Sequence, residues 1–330
     1  MKKRAGQRSG RRILRSLTVF AASAALCAAL FLIVNPRESG DGLQALFLSG
    51  FSTQAGLRKT LLFWPLLLLS ALSFGTAWKA GFVNLGLPGQ FIVGAALALA
   101  GALLFALPWW VCLLAAAVTG AAWSLLSGIL KTRFRVSEVL SGVMLNFLAL
   151  YLAQWLWEDA LSGRGEGGAS SAMPGLLIAE GVSVPAGLFL ALGLCAAAWA
   201  AERFSVFGYE VKAGGSNPEA AARAGMPVQR NATITLALSG ACAGLAGGMC
   251  VLSGLTETTL AVVSGRMGFT GMAVSLLCFG HPLGMIPAAF LAAGLWTGGE
   301  ALPSAFPGEA ADLLAALTLL GASVLHGKRK

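Results

Sequence analysis

The chain has 330 residues, of which 57% are hydrophobic and 11% are charged, and its mean hydropathy is +0.77. Soluble domains carry about 25% charged residues, so this composition excludes a soluble protein and predicts an integral membrane protein. The net charge of +9 does not indicate nucleic-acid binding, because the basic residues lie at the ends of apolar segments rather than along one stripe.

Ten apolar segments follow one another along the chain. Because backbone polar groups must find partners inside a bilayer, these segments predict an all-α, polytopic transmembrane helix bundle with about ten spans. The eighth and ninth segments are short and meet at His281 and Pro282, which predicts a tight hairpin or a re-entrant pair. The ten segments are 13–34, 60–78, 87–107, 109–130, 137–157, 184–201, 231–253, 268–280, 284–299 and 309–326.

The basic residues predict the orientation. Most of the 23 Lys and Arg residues fall on one side of the membrane when the N-terminus is cytoplasmic, and the positive-inside rule then places both ends inside. The first apolar segment is about 20 residues long, too long for a signal peptide, so we expect a retained span. The predicted parts are a cytoplasmic basic N-terminus at 1–12, one transmembrane domain at 13–326 that includes a cytoplasmic loop at 202–230, and a cytoplasmic tail at 327–330.

Two outer segments are long enough to do more than connect spans. Asn35–Leu57 contains the run Leu43–Phe51, which predicts a short amphipathic helix at the membrane interface. Glu158–Val182 is rich in Gly, Ser and Glu, and this linker-like composition predicts a flexible loop, with a partner-binding segment as the alternative.

Residues 80–90 combine helix breakers with polar side chains. Gly86 and Gly89 interrupt the helix between two spans, while Asn84 and Gln90 place amides near the membrane. Such broken helices are tolerated at membrane depth where they are buried or line a cavity, which favours a transport pathway. An ordinary tight cytoplasmic turn explains the same residues, and the residues alone leave both interpretations open.

Polar and small residues also interrupt the later apolar segments. Asn146 either lines a pathway or bonds to a neighbouring helix, and the second role is the more frequent one for such residues. The small residues of Ser239–Gly248 predict close contact between helix backbones.

A polar island, Ala213–Gly225, lies between two membrane-length apolar runs. Asn217 suits the N-cap of a short helix, Pro218 suits its first position, and Glu219 suits the positive end of the helix dipole. Gly225 predicts the end of the helix. A helix of about two turns is not stable alone in water, so a helix beneath a membrane domain predicts a docking surface for another protein.

Signals of an enzyme are absent from the sequence. No G-x-x-x-x-G-K-[ST] loop occurs, and the six cysteines form no C-x-x-C pair, so neither ATP binding by that motif nor a metal site is predicted. An intramembrane hydrolase that uses a serine with His281 stays a minor alternative.

Four segments together resemble the permease subunits of bacterial ABC importers, in the branch that serves nucleosides, simple sugars and branched-chain amino acids. The Asn-x-Gly-x-x-Gly-Gln string and the Gly-Phe-x-Gly…His-Pro-Leu-Gly string are most similar to the nucleoside-type permeases. One position differs, because members usually carry an acid where this chain has Pro88. The four segments are Gly81–Gln90, Glu138–Asn146, Gly214–Gly225 with Ser239–Gly248, and Gly268–Gly284.

The resemblance implies a multi-pass permease of the bacterial cytoplasmic (inner) membrane that imports a nucleoside or a simple sugar by alternating access. The expected partners are a separate ABC ATPase that binds ATP and Mg²⁺, an extracytoplasmic substrate-binding lipoprotein, a second permease copy or homologue, and membrane lipid. The chain itself would be no enzyme and would hold no cofactor. Coupling to the ATPase is expected at Gly214, Gly215, Ser216, Asn217, Pro218, Glu219, Ala220, Arg223 and Gly225, and the substrate pathway at Asn84, Gly86, Gly89, Gln90 and Asn146.

Two other classes compete with this interpretation. A self-sufficient secondary transporter or channel would need ionisable residues within its spans, and Glu300, Glu309 and Asp312 are the acids nearest to that condition. A membrane scaffold without transport would not need the helix-breaking residues at 80–90.

Overall fold

A computed structural model of the chain describes residues 18–33, 35–134, 136–156, 175–179, 182–254, 260–303, 312–318 and 321. Within these residues helices dominate, which confirms the predicted polytopic helix bundle. The helices are α1 (Thr18–Ile33), α2 (Ser39–Ser52), α3 (Gln54–Lys79), α4 (Leu87–Phe105), α5 (Trp109–Phe134), α6 (Glu138–Leu156), α7 (Ala186–Phe204), α8 (Val206–Ser216), α9 (Pro218–Arg223), α10 (Val228–Leu252), α11 (Leu260–Leu277), α12 (Pro282–Glu300) and α13 (residues 312–318).

One element departs from an all-α fold. Strands β1 (Gly175–Ala179) and β2 (Val182–Pro185) pair antiparallel, with Leu176 opposite Val184. Residues 175–179 and 182 of the predicted flexible loop Glu158–Val182 thus form paired strands, and the other residues of that loop lie outside the part of the chain that the structure describes. The short run of Leu, Ile and Val residues favours extended backbone locally, despite the Gly-rich residues that precede it.

Six helices in the described part of the chain are long and apolar enough to cross a membrane: α3, α4, α5, α6, α7 and α10. They fall into a central and a peripheral group. In α3, α4 and α10 the most apolar stretch is 78%, 67% and 67% buried, whereas in α5 and α7 it is 22% buried. The centre of the bundle is therefore α3, α4 and α10.

Small residues bring α10 close to α4 and α5, as predicted for Ser239–Gly248. A methyl group at Gly240 or Gly244 would collide with backbone atoms of α5, and one at Gly247 would collide with the carbonyl of Phe91 on α4. Ser124 of α5 also donates a hydrogen bond of 2.7 Å to the carbonyl of Leu236. The glycines therefore allow backbone contact that any larger residue would prevent.

The late apolar segments differ from their predicted lengths. The segment expected at 268–280 begins at Leu260, so α11 and α12 have 18 and 19 residues and are not short. The predicted segment excluded Arg266 because a charged residue is unfavourable within an apolar span. In the structure the Arg266 guanidinium lies 2.6 Å from the Asp312 carboxylate and over the Trp296 ring. These contacts allow a charged residue to continue the helix. Residues 278–281 form the turn between the two helices.

The helix predicted within Leu43–Phe51 is present as α2. It packs against α12, where Gly50 meets the backbone of Gly294, and Leu46 is fully buried. Tertiary packing therefore holds this helix in place.

Candidate functional site

Helix α9 forms at the predicted position with the predicted cap. The Asn217 side chain accepts a hydrogen bond of 3.0 Å from the Ala220 backbone N–H, and Pro218 occupies the first helical position. The side chain thus satisfies one of the backbone donors left free at a helix start, and proline loses nothing there because its missing N–H would have had no partner.

The end of α9 is a Schellman motif. Gly225 has φ +82°, and its N–H donates to the Ala222 carbonyl at 3.0 Å. The next N–H, from Met226, donates to the Ala221 carbonyl at 3.1 Å. This paired pattern needs the left-handed conformation that glycine adopts readily, so the predicted stop at Gly225 is confirmed.

The outward side of α9 is exposed. Ala221 is buried, whereas the side chains of Glu219 and Arg223 are 86% and 85% exposed and lie 3.8 Å apart as an i,i+4 pair. A pair this exposed adds little to stability, so these charges are free to contact a partner at little cost to the fold.

Helix α8 was not predicted from the sequence. Gly214, Gly215 and Ser216 form its last turn, rather than a loop that leads into α9. The available signal was Ser205, whose side chain caps the helix by accepting a hydrogen bond of 3.0 Å from the Gly208 N–H. Only Asn217 separates α8 from α9.

Helix α8 is attached to three spans. Gly208 packs against the end of α7, and Gly215 packs against the backbone of Lys79 at the end of α3. Asn231 of α10 donates a hydrogen bond of 2.7 Å to the Glu210 carboxylate. The segment predicted to couple to an ATPase is therefore a short exposed helix, α9, preceded by a helix that three spans hold in place.

The predicted pathway amides form one buried cluster. The side chains of Asn84 and Gln90 exchange two hydrogen bonds of 2.9 and 3.0 Å, and Asn84 also donates to the Ser239 hydroxyl at 2.8 Å. That hydroxyl donates to the Ser73 carbonyl at 2.8 Å. The cluster thus ties the joint at residues 80–90 to α3 and α10, and each amide replaces water with protein partners.

Asn146 joins the same joint from α6. Its side-chain oxygen accepts from the Gly89 N–H at 2.8 Å, and its amide donates to the Leu85 carbonyl at 2.9 Å. Gly89 leaves no room for a methyl group, which would lie 2.8 Å from that oxygen. The structure therefore brings Asn84, Gly89, Gln90 and Asn146 together, with Gly86 next to the Asn84–Gln90 pair.

Pro88, in the same joint, packs against α11. Its ring carbon would be 2.9 Å from a methyl group placed at Gly268. The ring therefore fills the space that glycine leaves on the facing helix.

A cavity of about 730 Å³ lies elsewhere, along α11, α12 and α13. Its walls are mostly apolar, and Thr270 and Thr318 are among its polar residues. Lys79, Glu202 and Lys212 line it near the turn between α11 and α12, while Asp312 lines it near the far end of α12. None of the five predicted pathway residues lines this cavity.

Two of the three acids that a secondary transporter would require, Glu300 and Asp312, are engaged in ion pairs. The Glu300 carboxylate lies 3.0 Å from the Lys59 ammonium at an exposed site, and Asp312 pairs with Arg266. Glu309 lies outside the described residues. These pairs give the acids structural partners, which does not favour a proton-carrying role.

Comparisons with known proteins agree with this arrangement. Residues 56–323 match the family described as "Branched-chain amino acid transport system / permease component". A guanosine ABC transporter permease protein of Bacillus subtilis is 32% identical over 308 residues, which cover 88% of each chain. A glucose ABC transporter permease protein of Haloferax volcanii is 30% identical, with 92% of this chain and 85% of the relative covered. A nucleoside ABC transporter permease protein of Lactococcus lactis is 28% identical over 78% of this chain and 76% of the relative.

The family model covers most of the chain, including the amide cluster, α8, α9 and nearly all of the described spans. This match favours a transport permease over a secondary transporter, a scaffold or a hydrolase. The chain therefore belongs to the branched-chain amino acid transport system permease family, as a multi-pass membrane transport component and not an enzyme.

Proposed function

We propose that this chain is the permease subunit of an importer that carries a nucleoside or a simple sugar across the bacterial cytoplasmic membrane. The relatives named for guanosine, nucleoside and glucose transport support this substrate class. The expected partners are a separate ATPase, which would bind ATP and Mg²⁺, an extracytoplasmic substrate-binding lipoprotein, and a second permease copy or homologue.

The exposed, capped helix α9 carries the proposal that the ATPase docks at Gly214–Gly225. Glu219 and Arg223 project from it into solvent, and Ala221 anchors it. Nucleotide-driven movement of the ATPase would displace α9, and the helix bundle would convert that displacement into alternating access. The solute contributes to this cycle only through its different affinities for the two states.

We also propose the orientation with both termini cytoplasmic and about ten spans. The six apolar helices account for part of that number, and α1, α11 and α12 supply further apolar helices of 16 to 19 residues. In this orientation the end of α3 and the whole of α8 and α9 are cytoplasmic, which is where an ATPase would meet them. The positive-inside rule supports the same assignment.

We propose that the cavity along α11 and α12 forms part of the solute pathway. Its volume of about 730 Å³ lies within the roughly 300–1,000 Å³ of small-molecule sites, and it combines apolar walls with a few polar groups. The pathway role of Asn84, Gly86, Gly89, Gln90 and Asn146 stays a prediction. Their hydrogen bonds support a role in shaping the joint beside that pathway.

The docking proposal is tested with Glu219→Ala and Arg223→Ala combined, in the tagged chain purified gently with its co-purifying subunits. ATP hydrolysis should become uncoupled from uptake of radiolabelled guanosine or glucose, while membrane insertion stays normal. The matched control combines Lys59→Ala and Glu300→Ala, which removes another exposed ion pair, on α3 and α12. Normal uptake by the α9 variant would refute the docking assignment.

A further inference from the structure

We propose that Glu202 is a positioning residue that links movement of α8 and α9 to the end of the cavity along α11 and α12. This inference rests on the proposed docking of an ATPase at α9. It assigns a transmission role to an ion-paired group that lies outside the predicted coupling residues.

Glu202, at the end of α7, bridges two lysines on different helices. One carboxylate oxygen contacts the ammonium of Lys79 on α3, and the other lies 3.4 Å from the ammonium of Lys212 on α8. The side chains of Lys79 and Glu202 are only 14% and 17% exposed. The Lys212 side chain is 47% exposed. A buried charge that loses its partner is costly, so Lys79 and Glu202 must move together, and Lys212 extends this pair to α8.

Backbone contacts reinforce the same junction. Helix α8 lies against the end of α3 at Gly215. A methyl group at Gly215 would collide with the Lys79 carbonyl and would lie 2.9 Å from the Gly81 nitrogen. The Lys79 side chain continues to the turn between α11 and α12, where its Cε would lie 3.2 Å from a methyl group at Gly280. Lys79 thus contacts α8 on one side and that turn on the other.

The cavity begins at this junction. Lys79, Glu202 and Lys212 line it together with Phe279 and His281 of the turn. Displacement of α8 would shift Lys212, and the shared carboxylate would then reposition Lys79 against the turn. The junction therefore connects an exposed helix to the lining of the cavity through three charged side chains.

A purely structural role for Glu202 predicts a different result from a transmission role. Loss of a structural contact would lower the yield of folded complex, and transport and ATP hydrolysis would fall in proportion. Loss of a transmission contact would leave the ATPase bound and active but would lower the number of solute molecules moved per ATP. The ratio of uptake to hydrolysis separates the two roles.

The experiment uses the permease with its co-purified ATPase in liposomes, with radiolabelled guanosine and glucose as probes. Glu202→Gln should lower the uptake-to-hydrolysis ratio at least about tenfold, because the neutral amide no longer holds the ammonium groups of Lys79 and Lys212 together, and ATPase association should be retained. Glu300→Gln is the matched control, because Glu300 forms the exposed pair with Lys59 at the opposite end of α3, and it should leave the ratio unchanged.

Two glycine variants test the same junction without changing charge. Gly215→Ala should lower the ratio, because its methyl group would push α8 away from α3. Gly193→Ala on α7 should not, because a methyl group there meets open space and Gly193 lies outside the proposed docking segment. This pair keeps the inference testable if Glu202→Gln does not fold.

The outcomes separate this inference from the docking proposal. If the combined α9 variant leaves coupling intact, the docking assignment fails and the transmission role fails with it. If that variant uncouples transport while Glu202→Gln and Gly215→Ala both keep the wild-type ratio, docking stands and the transmission role is refuted. A proportional fall in uptake and hydrolysis for Glu202→Gln would also refute it.

Discussion

Asn217→Ala should weaken binding of the ATPase subunit by removing the cap of α9. The Asn217 side chain accepts one hydrogen bond of 3.0 Å, from the Ala220 N–H, and the variant leaves that donor to water. Because the helix has only six residues, it has few other local sources of stability. The loss of the cap should therefore lower the fraction of molecules in which α9 is folded.

The size of the effect follows from the cost of losing a cap. Replacing Asn by Ala at an N-cap costs about 1 kcal/mol. If α9 is folded half the time or less in the free permease, that loss lowers the folded fraction about three- to fivefold, and the apparent affinity falls by the same factor.

The assay is titration of the purified ATPase subunit against the permease in nanodiscs, with the dissociation constant as the readout. Asn217→Asp should bind like the wild type, because the carboxylate keeps the cap and suits the helix dipole. Thr233→Ala is the control, since the exposed Thr233 hydroxyl donates within α10 and lies outside the proposed docking segment. Equal affinities for Asn217→Ala and Thr233→Ala would refute the reasoning.

Three further substitutions, two of them with a control variant, test packing and the solute pathway. Gly244→Ala should destabilise the bundle by about 1–3 kcal/mol through overpacking of α10 against α5, measured as a lower Tm in detergent, whereas Gly193→Ala has open space and should not. Asn84→Leu should lower the free energy of unfolding by about 1–3 kcal/mol, because the buried Gln90 amide loses its hydrogen-bond partner. An unchanged Tm with altered uptake selectivity would instead support direct contact between Asn84 and the solute. Ala288→Phe, which narrows the cavity, should reduce guanosine uptake while ATPase binding stays intact. The control, Ala122→Phe at an exposed position, should leave uptake unchanged. Equal uptake by the two variants would contradict the proposed pathway.

The start and stop of α9 could be predicted because their signals are local. Asn217, Pro218 and Gly225 each act on backbone groups within a few residues, so the caps follow from residue order alone. Helix α8 was missed because its support is mostly non-local. Gly208 and Gly215 allow it to lie against α7 and α3, and no pattern within the segment reveals those neighbours.

The same contrast applies to the polar residues of the spans. The sequence marked Asn84, Gln90 and Asn146 as amides near the membrane. It left a pathway and an ordinary turn open for Asn84 and Gln90, and favoured a bond to a neighbouring helix over a pathway role for Asn146. The structure adds their partners, including the 2.8 Å hydrogen bond from Asn84 to Ser239, 155 residues away. The role of a buried amide depends on such partners because its desolvation must be balanced by specific hydrogen bonds.

By itself, the sequence determined that the chain is a helical membrane protein, which segments are apolar, and where α9 begins and ends. These properties depend on composition and on contacts within one or two helical turns. Only the tertiary structure decided the full length of α11, the burial of the amide cluster, and the meeting of Lys79 with Glu202 across 123 residues of chain. A charged residue continues a helix or links two helices only when a distant partner compensates its burial, and that partner is chosen by the packing of the whole bundle.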